Sequence, residues 1–81
     1  MKEKHAQRYQ QFGQRIAYYR RLRGMTQATL AEKIDKATAF IGQVESPNVK
    51  KTISIDTLFD IADALDVPPK RFFEFDDDLK F

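Results

Sequence analysis

Cysteine is absent from this 81-residue chain, and histidine occurs once, at His5. Without cysteine there are no disulfide staples and no thiolate zinc sites, a composition that fits a reducing compartment. There is also no thiol nucleophile, and the single imidazole sits in a polar N-terminal stretch, so an enzyme is not expected. Long apolar runs are missing as well. None approaches the roughly 18–20 residues that cross a bilayer, and Met1-Lys2-Glu3-Lys4-His5 lacks the apolar core of a signal peptide. Neither an internal repeat nor a Gly/Ser linker is visible. The expectation is one small soluble cytoplasmic domain over residues 1–81, with a core from about 8 to 75 and flexible ends around Asp76-Asp77-Asp78. A chain of this size buries only about 60–65% of its unfolded surface, so its stability is expected to be modest.

What is present is unevenly spread. Residues 1–51 carry 11 Lys/Arg and 4 Asp/Glu, whereas residues 52–81 carry 3 and 8, so a net charge of +2 hides halves of +7 and −5. A polyanion would be drawn to the first part and repelled from the second.

Apolar residues recur at helical spacing. Phe12, Ile16 and Tyr19 predict a helix from about Arg8 to Arg23, stopped by Gly24, which takes left-handed conformations without strain. Thr26 is a natural N-cap for a second helix whose buried face is Leu30, Ala31 and Ile34. After a polar corner at Asp35-Lys36, a third helix is predicted over roughly Ala37–Glu45, with Ala37, Ile41 and Val44 inward. Ser46-Pro47-Asn48 through Thr52 reads as a loop. Ser54 caps a fourth helix carrying Leu58, Ile61, Ala62 and Leu65, and Pro68-Pro69 open a fifth, short one through Phe73. The class is all-α, a compact five-helix bundle.

The chemistry lies in Gly24–Glu45. Two short helices with a tight corner make a helix-turn-helix, whose second member turns Ala39, Gly42 and Gln43 outward and is slim enough for a DNA major groove. Gln43 can pair with an adenine edge, Ala39 can touch a thymine methyl, and Thr38 can reach a base or a phosphate. Gly42 costs its helix about 1 kcal/mol relative to Ala, which calls for close approach either to DNA or to the second helix. Thr26 and Gln27 can contact a phosphate at the start of the second helix. Lys36, Asn48, Lys50 and Lys51 are candidate backbone clamps. Arg20 and Glu45 form a candidate ion pair fixing the third helix, and Phe40 serves either the core or the DNA face.

Phe12-Gly13, Ile16, Arg20, Gly24-Met25-Thr26-Gln27, Leu30-Ala31-Glu32-Lys33-Ile34, Phe40-Ile41-Gly42-Gln43-Val44-Glu45 and Asp56-Thr57-Leu58 through Leu65-Asp66-Val67 together resemble the Xre family. These are the Cro/C1-type helix-turn-helix regulators, and the likeness spans about residues 9–73. It implies a lambda repressor-like five-helix fold with the third helix as the reading element. It further implies phosphate contact at Gln27 and base contacts around Thr38, Ala39 and Gln43. Members regulate transcription, often as dimers on two-fold operators. Asp35 and Lys36 depart from the usual Gly and small apolar residue, and Ala37 replaces the usual Ser/Thr cap.

The expected partner is therefore double-stranded DNA, bound by a homodimer that represses transcription. Part of the aromatic C-terminus, Phe72, Phe73 and Phe75, is its candidate interface, the other reading being that Phe72, and with it Phe73, closes the core. The alternative is a protein-interaction module, antitoxin or adaptor on the same fold. No cofactor or small-molecule ligand is implied. Asp60, Asp63 and Asp66 read as a solvated face rather than a metal site.

Overall fold

Three of the four α-helices among the described residues end in the same way, and these endings set the path of the chain. The computed structural model describes residues 3–48 and 51–75. After a 3-10 turn at Glu3–His5 come α1 (Ala6–Leu22), α2 (Gln27–Lys33), α3 (Thr38–Glu45) and α4 (Ile55–Leu65), then a 3-10 segment at Pro69–Phe73. The described residues contain no strand, and no described helix is long and apolar enough to cross a membrane.

Gly24 sits at φ 71°, and its N–H and that of Met25 bond back to the carbonyls of Arg21 and Arg20. Asp35 (φ 57°) closes α2 identically, with N–H groups of Asp35 and Lys36 on the carbonyls of Glu32 and Ala31. Asp66 (φ 55°) closes α4, with Asp66 and Val67 on Asp63 and Ala62. This paired bonding satisfies carbonyls that a helix end leaves orphaned. Aspartate tolerates the left-handed region better than most residues, so the departure at Asp35 leaves the corner intact.

The starts are less uniform. Thr26 Oγ1 accepts from the Thr29 N–H at 3.0 Å and Ser54 Oγ from the Thr57 N–H at 3.1 Å, as their positions predict. At the start of α3 no side chain caps the helix. Ala37, expected inward, precedes α3 and is exposed, because the helix begins one residue later than its spacing suggests.

One core joins the four α-helices and the Pro69–Phe73 segment. Phe12 and Ile16 of α1 meet Leu30, Ala31 and Ile34, then Ile41 and Val44, then Leu58, Ile61, Ala62 and Leu65. The expected fifth helix is the five-residue 3-10 segment, too short for an α-helical ladder to repay its nucleation. Phe72, a candidate for the dimer interface or for closing the core, does the latter: it is fully buried, edge-on to Phe12 at 6.1 Å and to Tyr19 at 6.0 Å. Three residues per turn carry Phe72 inward and leave Phe73 exposed.

Two contacts fix α3 on α1. A Cβ added to Gly13 would collide with the Val44 carbonyl oxygen, so the two backbones touch. Beside them Arg20 Nε donates to Glu45 Oε2 at 2.7 Å and Nη2 to Oε1 at 3.0 Å, while Nη1 donates to the Met25 carbonyl at 2.7 Å. The paired side chains are 9% and 5% exposed, so both charges are out of water and each is neutralised by the other.

Gly13→Ala is expected to cost about 1–3 kcal/mol by overpacking, read as a lower urea midpoint. Glu45→Gln should cost about 3–5 kcal/mol by leaving Arg20 buried and unpaired. Arg20→Met with Glu45→Leu should recover much of that loss. A double variant as unstable as the two singles summed would show that the pair's role is something other than mutual neutralisation.

Candidate nucleic-acid interface

α3 is eight residues long, and two inward residues, Ile41 and Val44, anchor it in the core. On an α-helix, that leaves one face, opposite these residues, free to point outward. Thr38, Ala39 and Gln43 are exposed, and nothing bulkier than glutamine stands among them. Gly42 is half-buried on the flank toward α2. A Cβ there would meet Gln27 Oε1 at 3.5 Å, an ordinary contact, so packing on α2 does not demand glycine.

The side chains at the start of α2 are already employed within the fold. Thr26 Oγ1 serves as the cap and lies 2.9 Å from Thr29 Oγ1. Gln27 Nε2 donates to Glu45 Oε1 at 3.0 Å. An amide nitrogen has two protons, and this bond uses one, which leaves the second for another acceptor. Arg20, Glu45 and Gln27 thus form a continuous chain from α1 through the end of α3 to the start of α2.

The candidate lysines fall into a second group. Lys36 Nζ and Lys51 Nζ each stand 5.5 Å from the centroid of the Phe40 ring, a cation–π geometry worth about 0.5–1 kcal/mol at exposed sites. Phe40 is half-buried and packs its inner side on the core, so the packing role and an outer role coexist in one ring. Asn48 is exposed, its N–H bonded to Ser46 Oγ at 3.2 Å. Lys50 lies outside the described residues.

One contributor has no signal in the sequence. Arg23 Nε donates to the Leu65 carbonyl at 2.7 Å and Nη2 to the Asp66 carbonyl at 2.9 Å, covering the C-terminus of α4. A cation there complements the helix dipole and ties the α1–α2 corner to α4. Nothing local at Arg23 marks a partner so distant in the chain.

The geometry matches known proteins over most of its length. The helix-turn-helix family model HTH_3 matches residues 16–72. The restriction-modification controller protein C.AhdI from Aeromonas hydrophila is similar in structure, with a TM-score of 0.74 and 31% identity, over 80% of this chain and 96% of that one. An HTH_3 family transcriptional regulator from Vibrio cholerae is also similar, with a TM-score of 0.76 and 26% identity. That match covers 91% of this chain but 40% of the other, so this chain spans less than half of that protein. No curated relative matches the sequence. A family match over most of the chain, with the same two-helix unit at its centre, means that this protein belongs to the HTH_3 helix-turn-helix family, the Cro/C1-type group its sequence resembles.

Proposed function

We propose that this protein is a sequence-specific DNA-binding transcriptional repressor that inserts α3 into the major groove as a homodimer. The observation that carries this reading is the outward face of α3. It is narrow and polar, locked to the core by a buried ion pair and flanked by lysines. Gln43 is the principal base reader, with Ala39 and Thr38 beside it, and Gly42 allows the groove wall to come close. Gln27 offers its second amide proton to a phosphate. Thr26, Lys36, Asn48, Lys50 and Lys51 contact the backbone and position the helix without reading sequence. The name of the similar Aeromonas hydrophila protein, a controller, supports a regulatory role.

Dimerisation is proposed through a patch distinct from the buried Phe72. Ile55 and Phe59 stand one turn apart on α4 and are 61% and 49% exposed, and Phe73 is 47% exposed. Three large apolar side chains held in water on so small a molecule favour a covering partner. A second copy also supplies the second reading helix, at a half-site about one turn, roughly 34 Å, away.

Selection from random DNA should return a two-fold symmetric site. On that site, Gln43→Ala is expected to lose about 1–3 kcal/mol of discrimination while binding random duplex as before. Equal losses on both would remove Gln43 as a base reader. In sedimentation, the wild type should run as a dimer and the Ile55→Lys, Phe59→Lys double variant as a folded monomer. An unchanged mass in the variant would place the interface elsewhere.

A further inference from the structure

Phe40 stands close to two cations that come from different parts of the chain. Lys36 belongs to the corner before α3 and Lys51 to the loop leading into α4, yet both ammonium groups stand 5.5 Å from the same ring centroid. They are therefore no further apart than twice that distance. Among the described residues neither meets a carboxylate within ion-pair range. Two like charges gathered this close repel each other, and the electron-rich ring face offsets part of that repulsion.

We infer that Phe40 is a positioning residue whose ring gathers Lys36 and Lys51 into one two-pronged clamp for the phosphate backbone. This rests on the DNA-binding reading above. A duplex strand offers a phosphate about every 3.4 Å of axis, so two cations this close face one short stretch of a single strand. The inner side of the ring is anchored in the core, which gives the clamp a fixed base beside α3. Long lysine side chains normally lose rotamer freedom when they grip a phosphate. Resting on the ring confines them beforehand and reduces that loss. The clamp carries no base information, so it bears on affinity and salt dependence rather than on sequence choice.

The test is a titration of the full chain with duplex DNA over a range of salt concentrations, comparing wild type, Phe40→Tyr and Phe40→Leu. Phe40→Tyr keeps a ring and should behave as wild type. Phe40→Leu should bind about 3- to 10-fold more weakly at low salt on specific and random duplex alike. Its slope of log K against log salt should shrink by about 1 to 2, at roughly 0.9 for each phosphate no longer neutralised. A folded Phe40→Leu with the wild-type slope overturns the clamp alone. A wild type that binds no duplex at low salt overturns the DNA-binding reading and the clamp with it. A second measurement needs neither variant nor DNA. In the free wild type, ring-current shifts should move the ε-methylene protons of Lys36 and Lys51 upfield, and random-coil positions for both would overturn the clamp.

Discussion

The pair between Arg20 and Glu45 is the constraint from which the rest of the surface follows. A guanidinium taken out of water needs a carboxylate and further acceptors, and Arg20 finds them in both Glu45 oxygens and the Met25 carbonyl. Glu45 is the last residue of α3, Met25 stands in the turn before α2, and Gln27 adds its amide to the same carboxylate. One planar fork therefore sets three elements at once. A lysine could not replace it, since a single ammonium cannot bond both carboxylate oxygens in parallel and reach the carbonyl as well. The exposed residues of α3 owe their common orientation to a charge they never touch.

Much of this is readable from local rules. The apolar stripes of α1, α2 and α4 set the core, Gly24 marks the first corner, and Thr26 and Ser54 mark two helix starts, because each rule involves residues within a few positions of one another. The mismatches have local causes too. Spacing alone begins α3 one residue early and so turns Ala37 inward, and a count of aromatics leaves Phe72 open between interface and core, which the tighter 3-10 turn decides for the core. Asp35 and Asp66 adopt the conformation usually signalled by glycine, so their helix stops are muted. Arg23 on the end of α4 and Gly13 under Val44 depend on where distant segments arrive, which no window of sequence reports.

Charge follows the same division of labour. Most of the basic residues lie before Thr52, with the helix-turn-helix unit, while acidic residues such as Asp56, Asp60 and Asp63 line α4. Attraction acts over roughly a Debye length, about 8–10 Å in ordinary salt, so this asymmetry orients an approaching polyanion before any contact forms.

The missing side chain at Gly13 has a mechanical meaning. With the α1 backbone at Gly13 pressed against the Val44 carbonyl, the end of α3 has no cushion of side-chain atoms at that point. Soft packing would let the helix ratchet by a fraction of a turn; bare peptide against bare peptide acts as a hard stop. A partner meeting this face finds a surface with little internal motion left to freeze, so the cost of ordering it on association is small.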